Sequence, residues 1–293
     1  AALPLLVLYD FASAFPSVAH AWLFAVLRAI RLWSAYVKAI RRLYTGNKAY
    51  ASKGGILVFM FPILSGILQG CPLSGTLFVF VIDPLLWMLR CHLNKAIIRA
   101  CADDVGAALR RLSYLATLHK LFSEFRSVSL LTLKPTKCVI IMTVCDLSDG
   151  NLELIRQWLA VHIPDWKHMK IQGSAKYLGM HLGPEAGAVQ WDKPIEKFNG
   201  RVSEINSTSG PISFAIRQFN CKAVPVLGYK AQMVSPPTKI IRTELSAILT
   251  ALKLAGNSMT ADCAYDLQDW LGLDPIRPSL YMVASMLRAA FKT

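Results

Sequence analysis

Apolar positions in the first half of the chain follow two patterns, short continuous runs and longer stretches with helical spacing. The run from Leu3 to Tyr9 is too short for a helix and ends in Asp10, which predicts a buried strand with a carboxylate at its end. Helical spacing then begins at Pro16-Ser17 and returns in Ala35 to Tyr44, which ends near Gly46-Asn47. These patterns predict one strand followed by two helices.

The next segment combines a hairpin, a very apolar helix and a second hairpin. Gly55 to Leu64 predicts paired strands around Pro62, and Pro72-Leu73-Ser74 predicts the start of a helix that runs to about Cys91. Two short strands then flank a tight turn formed by Ala102-Asp103-Asp104, where aspartate is well suited. The predicted bounds of these strands, and of the helix and strand that follow them, are Ile97 to Cys101, Val105 to Leu109, Tyr114 to Val128 and Cys138 to Val144.

The resulting order, β-α-α-β-α-β-β-α-β, predicts an α+β layer with an antiparallel hairpin at its centre. A domain boundary is predicted after Gly183-Pro184, which divides the chain into residues 1–184 and 185–293. Beyond this boundary the pattern is mainly helical. The predicted helices of the second part are Trp191 to Ile205, Ser213 to Ala223 and Pro237 to Lys253.

The net charge of the chain indicates which kinds of molecule it could bind. The chain has 32 Lys+Arg against 18 Asp+Glu, a net charge of +14, which favours nucleic acid or an anionic membrane surface. The uncharged stretch from Gly54 to Ile82 is interrupted by Pro62, Gln69 and Pro72, so its pieces are too short to cross the ~30 Å core of a bilayer. We therefore expect no stable membrane partner. The seven cysteines form no CxxC pair, and their odd number favours a reducing compartment.

Acidic residues are scarce and unevenly placed. Between Ala1 and Asp104 the chain has four of them, Asp10, Asp83, Asp103 and Asp104, against ten Lys+Arg. Three of the four follow or join apolar strands, so we expect them to be buried, where their repulsion is costly unless a cation neutralises it. A pair of Mg²⁺ ions about 3.5–4 Å apart would do so and would suit nucleotidyl transfer. A helix cap at Asp10 and an ordinary Asp-Asp turn are the alternatives for each site taken alone.

The first of these acids begins the six-residue segment DFASAF, residues 10–15. This segment resembles motif A of reverse transcriptases. The resemblance implies that Asp10 binds metal and that the Phe11 carbonyl assists it. It also implies that Phe15 is a steric gate, whose ring would clash with a ribose 2′-hydroxyl and so favour dNTPs. An ordinary core aromatic is the alternative for Phe15.

Two further segments resemble motifs B and C. Residues 68–74, LQGCPLS, followed by Leu77-Phe78, resemble motif B, which implies that Gln69 and Gly70 lie under the incoming nucleotide and the template base. Residues 101–104, CADD, resemble motif C, which implies that Asp103 is the second metal ligand and Asp104 a supporting carboxylate. The cysteine at position 101 departs from the aromatic residue that is usual in the family.

Motifs D and E complete the series. Residues 133–138, LKPTKC, resemble motif D, which implies that Lys137 is a general acid near the leaving pyrophosphate, although most lysines in such settings are simply solvated. Residues 176–179, KYLG, resemble the motif E hairpin, which implies that Tyr177, Leu178 and Gly179 grip the primer. The KYLG form is similar to that of the non-LTR branch rather than the retroviral one.

The resemblance covers roughly residues 5–229 and implies a complete functional assignment. It implies the palm of a right-hand polymerase over residues 1–184 and a thumb or connection-like helical region over 185–293, with the fingers largely missing. The implied activity is that of an RNA-directed DNA polymerase of a non-LTR (LINE-type) retrotransposon, with two Mg²⁺ ions, or Mn²⁺ in their place. The implied partners are an RNA template, a DNA primer or target, dNTPs, and the fingers and an endonuclease of a parent polyprotein. We expect an intracellular location, nucleus and cytoplasm, rather than secretion, and little activity of this chain without fingers.

Other hypotheses stay open. Within the polymerases, the chain could be an intron- or retron-type reverse transcriptase, against which the KYLG segment argues. From a different class, it could be a decayed or domesticated copy that binds nucleic acid without catalysis. A membrane-surface protein rests on charge and hydropathy alone. Candidate phosphate contacts on the predicted helices are Lys193, Lys197, Arg201 and Arg217. The first three share one helix face, and an ordinary solvated face is their alternative.

Overall fold

The computed structural model describes residues 3–143, 147–268 and 272–291, which belong to two units, Ala1–Pro184 and Glu185–Thr293. The first unit contains a five-stranded sheet and two separate two-stranded hairpins. The strands are β1 (Leu5–Tyr9), β2 (Lys48–Lys53), β3 (Ile56–Pro62), β4 (Ile97–Cys101), β5 (Asp104–Leu109), β6 (Val139–Met142), β7 (Lys170–Gln172), β8 (Ala175–Tyr177) and β9 (Met180–Leu182).

Strand β1 lies at the centre of the five-stranded sheet, whose order is β4–β5–β1–β6–β7. Both faces of a central strand are covered, which is why β1 is an unbroken apolar run. It pairs antiparallel with β5 and β6, with Tyr9 opposite Val105 and Leu5 opposite Met142, whereas β6 and β7 are parallel. The β4–β5 hairpin therefore lies beside the end of β1, where Asp10 follows.

Different apolar residues pack against the two faces of this sheet. Helices cover the face that includes Val7 and Tyr9, and the three helices α2, α4 and α5 also pack against each other. On the opposite face, Leu8 and Ile141 pack with Ala175 of the β8–β9 hairpin. The helices of the first unit are α1 (Ala14–Ser17), α2 (His20–Ala29), α3 (Ser34–Tyr44), α4 (Ser74–His92), α5 (Tyr114–Ser129) and α6 (Asp149–His162).

Helix α4 is the one helix among the described residues that is long and apolar enough to cross a membrane by length and composition. Its buried residues include Leu77, Phe78, Val81 and Leu85, which belong to the main core of the first unit. Burial of one side of a helix in a protein core accounts for this composition equally well.

Several predicted boundaries of the first unit are wrong. The helix predicted from Pro16-Ser17 is divided, because the extended backbone of Val18 and Ala19 separates α1 from α2. The hairpin predicted around Pro62 turns instead at Gly54-Gly55, where both glycines have positive φ. The predicted order also lacks α6 and β7, which follow β6. The last residue of the predicted strand Cys138 to Val144 lies outside the described residues.

The hairpin of β2 and β3, here called the β2–β3 ribbon, is separate from the central sheet. All seven residues of β3, with the sequence ILVFMFP, are exposed. The exposed fraction of Ile56 and Leu57 is 70% each, and that of Leu64 beyond the ribbon is 74%. The ribbon thus presents apolar side chains on both of its faces.

The second unit is helical. Its core includes Phe198, Phe219, Leu227, Ile248 and Met282. The predicted helices are shifted at their ends, and the prediction lacks the helices that begin at Pro225, Ala261 and Pro278. Its α-helices are α7 (Ala186–Val189), α8 (Asp192–Ser207), α9 (Ile212–Gln218), α10 (Pro225–Ala231), α11 (Thr238–Ala251), α12 (Ala261–Tyr265) and α13 (Pro278–Ala290), and a π-helical turn, Phe219–Ala223, joins α9 to α10.

The side chain and backbone of Glu244 together connect three of these helices. Glu244 of α11 is 3% exposed and accepts hydrogen bonds from Arg277 Nε at 2.8 Å and from the Ser279 backbone N–H at 3.1 Å. The Tyr265 hydroxyl of α12 donates to the Glu244 backbone carbonyl at 2.9 Å. Because Ser279 lies in the first turn of α13, Glu244 satisfies one of the backbone N–H groups that a helix leaves without an intrahelical partner.

Candidate active site

Asp10 directly follows β1, and its backbone is held by the segment that precedes β6. The Lys134 backbone N–H donates to the Asp10 carbonyl at 2.9 Å. The Cys138 sulfur accepts from the Asp10 N–H at 3.4 Å and donates to the Asp10 carbonyl at 3.7 Å. Burial raises the pKa of the Cys138 thiol to about 11, so the thiol stays protonated at neutral pH and keeps its donor. These contacts fix the position of the Asp10 backbone and therefore of the Cα atom that carries its carboxylate side chain.

The other two aspartates lie at the turn of the β4–β5 hairpin. Cys101 pairs with Asp104, so Ala102 and Asp103 form a two-residue loop. Ala102 has φ +52°, a conformation that costs a residue with a side chain on the order of 1 kcal/mol or more. Since Tyr9 pairs with Val105, Asp10 and Asp104 are the next residues on neighbouring strands. The structure thus brings Asp10, Asp103 and Asp104 together at one end of the sheet.

The three carboxylates repel each other. Partial removal from water raises the pKa of Asp104, and the negative charges of Asp103 and Asp10 raise it further. A divalent cation among these oxygens would relieve the repulsion, so the donor set fits a hard metal ion.

The predicted burial of these carboxylates is wrong. Asp10 and Asp103 are half-buried and Asp104 is exposed, because all three lie at strand ends that solvent reaches. Across the parts of the chain that the structure describes, no three His, Cys, Asp or Glu side chains form a group that could hold a metal ion by themselves. Any cation at this edge would need further oxygens from its substrate, as Mg²⁺ commonly takes from phosphates.

Lys137, the predicted general acid, lies next to the predicted metal ligand. Its Nζ is 3.8 Å from Oδ1 of Asp10, and both side chains are partly exposed, 55% for Lys137 and 42% for Asp10. A turn positions it, since the Lys137 backbone N–H donates to the Lys134 carbonyl at 2.8 Å. The segment that holds the Asp10 backbone therefore also places an ammonium group beside the Asp10 carboxylate.

The two aromatic residues of the predicted motif A have different surroundings. Phe11 is buried and forms an isolated antiparallel bridge with Leu133. Phe15 is half-buried, and its ring stacks on that of Phe78 with the centroids 4.5 Å apart. Phe78 is the aromatic residue of α4 that follows the predicted motif B, so Phe15 lies where the two motifs meet.

Backbone contacts join the predicted motif B to motif A. The Ile67 N–H donates to the Phe15 carbonyl at 2.7 Å, and the Gly66 N–H donates to the Val18 carbonyl at 2.8 Å. A Cβ on Gly66, which has φ +97°, would lie 2.8 Å from the Pro16 carbonyl oxygen, so this position requires glycine. The loop that follows is consequently anchored at its start.

Gln69 and Gly70 lie in that loop and are both exposed. Gly70 has φ +84°, and a Cβ there would meet nothing within 4 Å. The glycine is thus required by the turn and leaves open space above the backbone. This space agrees with the predicted approach of a nucleotide or template base, and the contact itself stays a prediction.

The predicted primer-grip residues form the turn of the β8–β9 hairpin. Leu178 and Gly179 have φ +46° and +85°, the sign that a tight two-residue hairpin turn needs at both positions. Tyr177 precedes this turn, and its hydroxyl donates to the Asp104 carbonyl at 3.2 Å and to the Arg99 carbonyl at 3.3 Å. The structure therefore places Tyr177 against the hairpin that carries Asp103 and Asp104.

Three residues that shape the site carry no strong signal in the sequence. Cys138 is the last residue of the predicted motif D, but nothing in the sequence shows that its thiol contacts Asp10. Gly106 faces the Tyr177 ring, and its place as an isolated glycine inside a predicted strand is only a weak sign that another group lies over the strand. Gly66 precedes the predicted motif B, and its need for glycine depends on a contact with Pro16 that is 50 residues away in sequence.

Comparison with known proteins agrees with this arrangement. Residues 3–182 match the family described as reverse transcriptase (RNA-dependent DNA polymerase). The chain belongs to the reverse transcriptase family. The match covers all three aspartates and the β8–β9 hairpin, and the family generally uses divalent metals.

Two relatives indicate the branch of the reverse transcriptase family. The chain is 25% identical over 185 residues to the Transposon TX1 uncharacterized 149 kDa protein of Xenopus laevis, an alignment that covers 60% of this chain and 13% of that protein. It is 26% identical over 242 residues to the retrovirus-related Pol polyprotein from the type-2 retrotransposable element R2DM of Drosophila melanogaster, covering 80% of this chain and 22% of that protein. Both are non-LTR retrotransposon proteins, which confirms the predicted non-LTR reverse transcriptase domain. The chain spans less than a quarter of either relative.

Solved telomerase structures share the fold of this reverse transcriptase. The structure of telomerase from Candida albicans with a fragment of telomeric RNA has a TM-score of 0.52 at 10% identity and covers 98% of this chain and 46% of its own. Apo telomerase from Candida tropicalis has a TM-score of 0.51 at 10% identity and covers 100% of this chain and 52% of its own. The predicted α+β polymerase palm followed by a mainly helical region is thereby confirmed.

Proposed function

We propose that this chain catalyses RNA-templated DNA synthesis as the polymerase of a non-LTR retrotransposon. In this reaction a primer 3′-hydroxyl attacks the α-phosphorus of a dNTP, and pyrophosphate leaves. The observation that carries the proposal is the convergence of Asp10, Asp103 and Asp104 at one sheet edge, where partial burial and then the charges of Asp103 and Asp10 raise the pKa of Asp104. Family membership supports the same reaction.

The carboxylates of Asp10 and Asp103 would hold two Mg²⁺ ions, or Mn²⁺ in their place. When bound, such ions lower the pKa of the attacking hydroxyl and offset the charge of the triphosphate. Asp104 supports the pair by adding negative charge beside it. The Phe11 carbonyl is the proposed further oxygen from this chain. Their partial exposure leaves room for the substrate oxygens that complete the coordination of a hard cation.

Neighbouring residues would bind and orient the other reactants. Gln69 and Gly70 form an exposed, open turn for the templating base and the incoming nucleotide. Phe15 would exclude a ribose 2′-hydroxyl, because its ring is fixed by stacking on Phe78. Lys137 would give a proton to the leaving pyrophosphate, a role that requires it to leave Asp10 when a substrate arrives.

The proposed partners are an RNA template, a DNA primer or target, and dNTPs, together with the fingers and an endonuclease within a longer polypeptide. In the second unit, Lys193 and Lys197 of α8 are exposed and suit phosphate contacts. Arg201 is less suited, because its guanidinium donates to the Lys222 carbonyl. We also propose action in the nucleus and cytoplasm, which the exposed free thiols of Cys91, Cys101, Cys221 and Cys263 support.

A primer-extension assay tests the proposal. The chain, alone and extended at its N-terminus with the coding sequence that precedes it, is given poly(rA)/oligo(dT), dTTP and Mg²⁺ or Mn²⁺. We expect metal-dependent extension that Asp103→Asn reduces roughly 1000-fold or more. Asp83→Asn, which changes an exposed aspartate of α4, should leave the rate unchanged.

The same assay separates a second candidate, nucleic-acid binding without catalysis. The net charge of +14 and the lack of a three-residue metal group among the described residues favour it. Binding of the labelled duplex without extension by either form of the protein would support this second function and contradict the first.

A further inference from the structure

The hydroxyl of Tyr177 bridges both strands of the hairpin that carries Asp103 and Asp104, two of the carboxylates of the proposed metal site. It lies 3.2 Å from the Asp104 carbonyl of β5 and 3.3 Å from the Arg99 carbonyl of β4. A tyrosine hydroxyl has one hydrogen, so it is shared between these two acceptors. The contact thus reaches the two strands on either side of the Ala102-Asp103 loop.

The ring of Tyr177 also contacts the hairpin. It packs over Gly106 of β5, where an added Cβ would lie 3.6 Å from ring carbons Cε2 and Cζ. Gly106 is opposite Leu8 of β1, and Leu8 belongs to the apolar cluster that the β8–β9 hairpin covers. The ring therefore lies directly over position 106, where a methyl group would be in ordinary van der Waals contact with it and a larger side chain would displace it.

The geometry of the sheet shows what this contact controls. Side chains alternate along a strand, so Asp104 and Gly106 lie on the same face of β5, the face that Tyr177 covers. The loop next to Asp104 is strained at Ala102, and strained loops persist only when their surroundings hold them in place. Tyr177 supplies one shared hydroxyl hydrogen and a ring contact beside that loop.

We propose that Tyr177 is a positioning residue that fixes the β4–β5 hairpin so that Asp103 and Asp104 face Asp10. This inference rests on the proposed function and deepens it. The motif E hairpin then has two tasks, since Leu178 and Gly179 present its turn to a primer while Tyr177 connects it to the metal-binding loop. Primer position and metal position are thereby coupled through one side chain.

Tyr177→Phe tests this role because it keeps the ring and removes the hydroxyl. We expect the affinity for Mn²⁺, measured by electron paramagnetic resonance with saturating primer-template and a non-hydrolysable dTTP analogue, to fall about 10-fold, as for other residues that orient metal ligands. The kcat for extension should fall by a similar factor, with the KM for dTTP and the Kd for primer-template unchanged within about 2-fold. Lys176→Ala, which alters an exposed neighbour in the same strand, should leave Mn²⁺ binding unchanged.

A second pair of variants changes Gly106, the residue that the Tyr177 ring contacts. Gly106→Ala adds a methyl group at an ordinary contact distance of 3.5–3.6 Å from Leu8 and Tyr177 and should preserve Mn²⁺ affinity. Gly106→Leu should displace the ring and weaken Mn²⁺ binding at least as much as Tyr177→Phe does. Thermal unfolding measured in parallel identifies variants that fail to fold.

The outcomes separate this inference from the proposed function. Unchanged Mn²⁺ affinity and kcat in Tyr177→Phe, with wild-type protein active, would overturn the positioning role alone. A raised Kd for primer-template with unchanged Mn²⁺ affinity would overturn it in favour of direct primer contact. Absence of extension by wild-type protein that binds Mn²⁺ would contradict the proposed function, whereas weaker Mn²⁺ binding by Tyr177→Phe would still support the positioning role.

Discussion

Nζ of Lys137 lies 3.8 Å from Oδ1 of Asp10, so an ammonium group of the chain already occupies the neighbourhood of a carboxylate that would bind metal. An ion pair between partly exposed side chains contributes about 1 kcal/mol or less to stability. It can therefore open at little cost when a cation and a triphosphate arrive. The relationship suggests that Lys137 is held close to its place of action before substrate binds.

Substitution of Lys137 should affect the reaction far more than the fold. We expect Lys137→Met to slow single-turnover extension by roughly 100-fold, the contribution typical of a general acid, and to change the free energy of unfolding by less than about 1 kcal/mol. Lys134→Met, which changes another exposed lysine of the same segment, is the matched control and should keep the wild-type rate. Equal rates in the two variants would show that Lys137 is an ordinary solvated lysine.

The charge of Asp104 should lower the stability of the metal-free protein. Partial burial and the neighbouring carboxylates hold its pKa in the folded state above the ordinary value of an aspartate, so the ionised form is disfavoured by folding. Asp104→Asn should therefore raise the midpoint of thermal unfolding at pH 7 in a chelator, by roughly 1–2 °C because water screens an exposed group. The gain should shrink as pH falls through the folded pKa and vanish below the unfolded one. Thermal melts followed by circular dichroism from pH 3 to 8 measure the difference in midpoint between Asp104→Asn and wild-type protein. A difference that grows towards low pH would contradict the predicted direction of the effect.

Phe15 should decide between dNTPs and rNTPs. A valine at position 15 is small enough to remove the ring that stacks on Phe78, so a ribose 2′-hydroxyl would no longer clash. We expect Phe15→Val to raise the ratio of kcat/KM for UTP over dTTP by roughly 10–100-fold. Phe15→Tyr keeps the ring and should keep the wild-type preference. A loss of stability in Phe15→Val without a change in this ratio would mean that Phe15 is an ordinary core aromatic.

Glu244 should be a main source of stability in the second unit. Glu244→Ala removes the acceptor of Arg277 and of the Ser279 backbone N–H, and we expect it to lower the free energy of unfolding by roughly 2–3 kcal/mol. Tyr265→Phe removes one hydrogen bond to the backbone of the same residue and should cost about 1 kcal/mol. Urea unfolding measures both, with Glu196→Ala, which changes an exposed residue of α8, as the control. An effect of Glu244→Ala no larger than that of the control would show that the buried network is unimportant.

The sequence predicts those parts of the site that depend on local pattern. The strand that ends in Asp10 and the turn at Asp103 follow from apolar runs and turn preferences, and the helix that begins at Ser74 lies within two residues of its prediction. The division after Pro184 coincides with the boundary between the two observed units.

The remaining features depend on contacts between distant residues. The Cys138 thiol reaches Asp10 across 128 positions, and the Tyr177 hydroxyl reaches Asp104 across 73. The exposure of the aspartates could not be predicted either. An apolar strand sequence shows that the strand is buried, but it does not show whether solvent reaches the residues at its end. Short helices such as α12, which has five residues, carry too few apolar positions to reveal a period.

The β2–β3 ribbon has a practical consequence for work with the purified chain. Its outward apolar side chains and open strand edges are features that promote edge-to-edge pairing between molecules. Samples should therefore self-associate as concentration rises, and a lysine at Val58 or Phe61 would be expected to improve solubility. Kinetic constants measured at a single protein concentration would mix catalysis with this association, so a dilution series belongs in each assay.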